Sequence, residues 1–100
     1  MEEYTVVVAF DTTSADHEAT GKLLQSYIGD FLQYQPGFIE SWLQERVDET
    51  GFLHFARWRQ EADFRAFAAL AQTHPDLPAL RALKPVPGFY RPVTRFNGRR

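Results

Sequence analysis

Apolar positions along this chain alternate between two rhythms, and each change of rhythm marks a new element. Tyr4 to Phe10 is β-branched and apolar on both faces, as a strand buried on both sides requires. After the polar connection Asp11 to Ser14, the spacing lengthens. Leu24, Tyr27, Ile28, Phe31 and Leu32 recur every three or four residues and predict an amphipathic helix from about Ala15 to Tyr34. Thr13 or Ser14 is its expected N-cap, and Asp16 and Glu18 suit the positive end of its dipole. Pro36 cannot continue that helix and Gly37 gives the chain a flexible exit.

The run from Gln35 to Trp58 then reads as a hairpin. Phe38, Ile39 and the stretch Glu40 to Val47 form one strand, Asp48-Glu49-Thr50-Gly51 a polar turn, and Phe52 to Trp58 a second strand. Alternation puts Phe52, His54, Ala56 and Trp58 on one face and Leu53 and Phe55 on the other. It groups Phe38 with Trp42 against Ile39 and Leu43. The helical spacing returns at Phe64, Phe67, Ala68 and Ala71 and stops at His74-Pro75. Asp76 opens a short helical turn bearing Leu77, Leu80 and Leu83. The loop Lys84 to Gly88 leads to a last strand, Phe89 to Phe96.

The order β-α-β-β-α-β is the ferredoxin-like arrangement of the α+β class, an antiparallel sheet with its helices on one face. The strands present large apolar side chains on both faces, so the face without helices needs a cover. A second copy of the chain supplies one, and the expected assembly is a homodimer closed as a dimeric α/β barrel. Residues 1–100 make one domain, with an ordered core over about residues 4–96.

Composition narrows the chemistry. Fifteen aromatic residues in 100, nine of them Phe, are too many to leave in water. The formal charge of −2 offers no basic surface for nucleic acid, and Arg99-Arg100 is too small a cluster to supply one. The absence of cysteine removes disulfides, thiolate nucleophiles and Cys-ligated metals. The start Met1-Glu2-Glu3 is acidic and no apolar run reaches membrane-spanning length, so the expected setting is the cytoplasm, with no membrane partner. His17, His54 and His74 lie far apart on separate elements, and no Gly-rich phosphate loop is present. Neither a metal nor a cofactor is expected.

Two places carry candidate chemistry. His54 and Trp58 share a strand face, which suits either a pocket with a titratable wall or a pair of core residues. Arg81, within Ala79-Leu80-Arg81-Ala82-Leu83, can aim at an anion or lie in solvent with its stem on apolar surface.

Pro36-Gly37-Phe38 opening a strand, followed by a hairpin that ends in His54-Phe55-Ala56-Arg57-Trp58, resembles the antibiotic biosynthesis monooxygenase domain. The resemblance runs from roughly Tyr4 to Phe96. It implies the dimeric barrel and a cofactor-independent monooxygenase-like activity on an electron-rich aromatic, a polyketide or quinol, with molecular oxygen. It also implies that His54 is base or substrate anchor, at a position where the family has Asn, and that Arg81 is the anion partner. Trp58, Trp42, Phe64 and Leu43 would line the substrate pocket. Family members acting on anthrone-type polyketides carry Tyr where this chain has Leu43 and Phe64, so two hydroxyls are missing. The haem-degrading branch resembles it less, because the first strand has no Asn and Phe67 stands at the expected Trp. A non-catalytic dimeric binding module, or a polyketide cyclase in the same fold, fits the same residues.

Overall fold

The computed structural model describes residues 2–99; Met1 and Arg100, named above, lie outside the described residues. Its elements follow the expected order. They are β1 (Tyr4–Asp11), α1 (His17–Asp30), a 3-10 turn (Leu32–Tyr34), β2 (Phe38–Glu45), β3 (Gly51–Trp58), α2 (Glu61–Ala71), α3 (Leu77–Ala82) and β4 (Val86–Tyr90). The four strands form one antiparallel sheet in the order β2-β3-β1-β4. This is the ferredoxin-like topology, with β1 and β2 parallel on either side of β3.

The core lies between the sheet and the helices. The residues Val6, Phe10, Phe52, Ala56 and Trp58 supply it from the sheet, and Leu24, Tyr27, Phe67 and Leu80 cover them from the helices. Trp58 is 1% exposed and meets Phe38 and Phe64 edge-on at 5.5 and 5.7 Å, with Phe67 tilted against it at 5.3 Å. Edge-on and tilted contacts of this kind add to the gain from burying apolar area.

Local structure departs from the periodicity in four places. Helix α1 stops at Asp30, because Phe31 leaves helical geometry at φ −132°, ψ −63° and the chain tightens into the 3-10 turn. Its N-cap is Asp16 rather than Thr13 or Ser14, and Asp16 Oδ1 accepts the Thr13 N–H at 2.7 Å. In β2 the register slips between Phe38, opposite Trp58, and Glu40, opposite Arg57, leaving Ile39 without a partner. That bulge reverses the side-chain phase. Phe38 therefore shares the helix-covered face with Leu43, while Trp42 points to the other side. Strand β4 begins at Val86 instead of Phe89 and ends at Tyr90, with residues 91–99 irregular. It runs towards the start of β1, and Tyr90 lies opposite Thr5, one residue from the end of its partner.

The uncovered face is more mixed than apolar alternation suggests. Val7, Trp42, Leu53, Phe55, Val86 and Tyr90 occupy much of it. Arg57, however, rises from β3 between Glu3, at 2.6 and 2.7 Å, and Glu40. These carboxylates raise the affinity of the guanidinium for its proton.

The hairpin depends on close backbone approach at Gly51. A Cβ there would lie 2.5 Å from the Phe10 carbonyl oxygen, on the neighbouring strand. Gly51→Ala must push β1 and β3 apart, and we expect it to destabilise the fold by about 1–3 kcal/mol, as overpacking does. Urea unfolding followed by tryptophan fluorescence measures this, and an unchanged midpoint would contradict it.

Candidate active site

Residue alternation along β3 determines what reaches the space beneath the helices. Phe52, His54, Ala56 and Trp58 all turn inward and are buried, whereas Leu53 is exposed and Phe55 and Arg57 are half-buried on the opposite face. Between these inward side chains and helices α1, α2 and α3 lies a cavity of about 320 Å³. Val8, Leu24, Ile28, Phe64 and Phe67 give it an apolar wall around His54. That volume is at the lower end of ligand pockets, which run from about 300 to 1,000 Å³.

His54 is the chemical feature of this cavity. The residue is 6% exposed, and its Nε2 has no hydrogen-bond partner among the described residues. A buried polar atom with no partner is costly, and cavities that hold one are suited to a ligand that completes it. Burial in apolar surroundings pushes the imidazole pKa down to about 4. At neutral pH the ring is uncharged, with one nitrogen carrying a proton and the other a lone pair.

The remaining sequence-derived candidates divide. Trp58 and Phe64 line the cavity with His54. Leu43 lies directly opposite His54 in the β2–β3 register and packs half-buried against the core, beside the cavity lining. Trp42 is brought to neither, because the bulge sends it to the uncovered face, where it packs on Phe55 at 5.5 Å and is 45% exposed. There it joins Phe55, Arg57, Tyr90 and Arg95 around a separate open depression of about 900 Å³. Arg81 is exposed on α3 and donates from Nη2 to Gln72 Oε1 at 2.7 Å. Only Gln72 of that pair borders the cavity.

Tyr27 is a wall residue that periodicity absorbed into the helix stripe. It lines the cavity from α1, with its ring against Phe31 at 5.5 Å and His74 at 5.0 Å. Burial, with the Asp76 charge adding to it, pushes its pKa up to about 12, so the hydroxyl keeps its proton. A hydroxyl on an otherwise apolar helix face is the signal that marks it in the sequence. His74 Nδ1 accepts the Asp76 N–H at 3.0 Å.

The model of the antibiotic biosynthesis monooxygenase family matches residues 3–74. Tetracenomycin-F1 monooxygenase of Streptomyces glaucescens is 28% identical over 87 residues, covering 86% of this chain and 78% of the relative. Two solved structures extend the likeness. The monooxygenase ActVA-Orf6 of Streptomyces coelicolor, in complex with nanaomycin D, superposes with a TM-score of 0.78. It is 20% identical and covers 98% of this chain and 94% of that one. SnoaB of Streptomyces nogalater, a cofactor-independent oxygenase, gives a TM-score of 0.70 at 25% identity over 97% of each chain. No helix among the described residues is long and apolar enough to cross a membrane.

The buried imidazole predicts a pH signature in stability. Its pKa of about 4 in the fold lies below the ordinary value of 6.5, so between those pH values the unfolded chain binds the extra proton. Stability is then present above pH 6.5 and is lost as pH falls towards 4. At pH 5 the loss from this group is about 2 kcal/mol. His54→Asn should lack that component, so the gap between variant and parent in urea midpoint should change in the variant's favour from pH 7 to pH 5. Parallel pH profiles for the two proteins would contradict a buried, neutral His54.

Proposed function

The chain belongs to the antibiotic biosynthesis monooxygenase family, and from that premise we propose that it oxygenates an electron-rich hydroxylated aromatic, polyketide-derived or quinol, with molecular oxygen and no resident cofactor. The observation that carries this reading is the unpartnered, buried Nε2 of His54 facing an apolar cavity. The activities of the named relatives support the reaction class. The cavity volume supports a compact, flat substrate over an extended one.

In this reading the neutral imidazole accepts the proton of a substrate hydroxyl at Nε2, or holds it in a strong hydrogen bond. The resulting electron-rich ring reduces oxygen without a metal. In an anthrone-type substrate a ring C–H para to the hydroxyl becomes a carbonyl. In a quinol, whose para carbon already carries oxygen, another ring C–H becomes C–OH as the ring reaches the quinone level. In both, one oxygen atom ends in the quinone product and the other in water. No external reductant is needed. The chain's contribution is to exclude water with Trp58, Phe64 and Phe67, to orient the ring, and to receive the proton in a site where charge separation is confined. Tyr27 supplies a protonated hydroxyl on the wall, in place of those absent at Leu43 and Phe64. Arg81 acts at one remove, by holding Gln72. We assign it no contact with the reacting atoms, and Trp42 none with the substrate.

His54→Ala should lower kcat by about 10²-fold while the folded fraction stays close to that of the parent. His54→Asn should retain part of the activity through a hydrogen bond. Oxygen uptake with hydroxylated anthrones and naphthohydroquinones measures both. Unchanged turnover per folded molecule in the two variants would remove His54 from the reaction. The low proton affinity of His54 favours a second reading, in which it anchors a ligand without deprotonating it. Tight binding of the same aromatics to the parent, with no oxygen uptake, would establish that reading instead.

The homodimer belongs to the same proposal. Trp42, Val86 and Tyr90 are 45%, 65% and 58% exposed on the uncovered sheet face, an area that a second copy would cover. Sedimentation at low micromolar concentration should give about twice the 11.6 kDa chain mass. A folded monomer under those conditions would exclude closure of the barrel.

A further inference from the structure

A second titratable cluster stands at the hairpin end of the sheet and takes no part in the proposed reaction. His17, the first residue of α1, is 7% exposed and its ring stacks on Phe52 at 4.5 Å with an interplanar angle of 12°. Nδ1 is 2.6 Å from Thr12 Oγ1, and Nε2 is 2.7 Å from Glu45 Oε2 at the end of β2. Glu49 reaches the same point from the hairpin turn, so that one donor atom from each of the three residues lies within 4.8 Å of the others. Among the described residues neither Glu45 nor Glu49 pairs with a lysine or arginine. The guanidinium of the same turn, Arg46, is occupied by both Asp48 oxygens at 3.0 and 3.2 Å. One carboxylate therefore holds Nε2 and a second stands within 4.8 Å of the pair, neither neutralised by a lysine or arginine among the described residues.

We propose that His17 Nε2, Glu45 and Glu49 form a binding site for a divalent transition-metal ion of the zinc type, with water completing the coordination. Imidazole with two carboxylates suits Zn²⁺, Co²⁺ or Mn²⁺ better than an all-oxygen cation such as Ca²⁺. Tetrahedral bonds of about 2.0–2.1 Å place two ligand atoms about 3.3 Å apart. The His17–Glu45 contact has to open by about 0.6 Å, and Glu45, whose side chain is 54% exposed, has room to swing. The stacked ring is fixed in advance, and Thr12 Oγ1 accepts Nδ1–H when Nε2 turns its lone pair to the ion, the usual outer support of a metal-bound imidazole. The ion joins the N-terminus of α1 to the β2–β3 hairpin, two residues along β3 from His54. It is a staple for the fold beside the site, separate from the proposed oxygen chemistry.

The test uses the tag-free full chain stripped with EDTA, titrated with Co²⁺ alone and followed by visible absorption and calorimetry, with Zn²⁺ added during thermal unfolding. One Co²⁺ should bind per chain, and Zn²⁺ should raise Tm. Glu49→Gln and Glu45→Gln, both on exposed side chains, should each weaken binding by about tenfold or more and reduce the Zn²⁺ effect on Tm. His17→Gln should abolish both; if it does not fold, the two glutamate variants decide. His54→Asn should bind Co²⁺ like the parent. No saturable binding at millimolar Co²⁺ overturns the proposal. So does binding unchanged in both glutamate variants, or binding lost in His54→Asn, which would move the ion to the cavity.

Discussion

Strand β3 is hydrogen-bonded along both edges, to β1 and to β2, and a strand held in that way has no freedom to rotate its side chains between faces. With Gly51 against the backbone of β1 at one end and Trp58 locked among three phenylalanines at the other, the phase of every residue between is set. His54 has to enter the layer beneath the helices. The cost of burying an imidazole there is borne by the packing of Phe52, Ala56 and Trp58, which must be buried on the same face. The chemistry of the cavity is thus a consequence of β3 being central.

The same packing sets the electrostatics. An imidazole surrounded by Leu24, Ile28 and aromatic rings has nothing to stabilise a positive charge, so it stays neutral. On the other side of the same strand, Arg57 sits between two carboxylates and keeps its charge under all ordinary conditions. A single strand thus carries an uncharged imidazole on one face and a permanent ion pair on the other, three residues apart. The cavity beneath the helices is bordered only by the former.

What could be read from the sequence was local. Alternation within β3 depends on consecutive residues, and the stripe on α1 on residues three or four apart, so both were legible, and with them His54, Trp58 and the ferredoxin-like order. The bulge at Ile39 was not, because it exists only in the pairing of Phe38 with Trp58, twenty positions later. The displacement of β4 has the same origin: its bounds, Val86 opposite Ala9 and Tyr90 opposite Thr5, exist only in the pairing with β1. Arg81 shares a helix with apolar neighbours, yet its guanidinium meets Gln72, just past the end of α2. His17 and Glu45 lie 28 residues apart, and no spacing rule relates them. Tyr27 is absorbed into the apolar stripe by its spacing, although its hydroxyl stands out from it.

The bulge at Ile39 has a consequence for how this fold changes over time. Without it, Phe38 and Trp42 would share a face, and any replacement suited to the packed interior would be constrained together with any suited to the outer surface. One unpaired residue separates them: Phe38 answers to the aromatic interior and Trp42 to the exposed sheet. Interior packing and surface contacts can therefore drift independently along a single eight-residue strand.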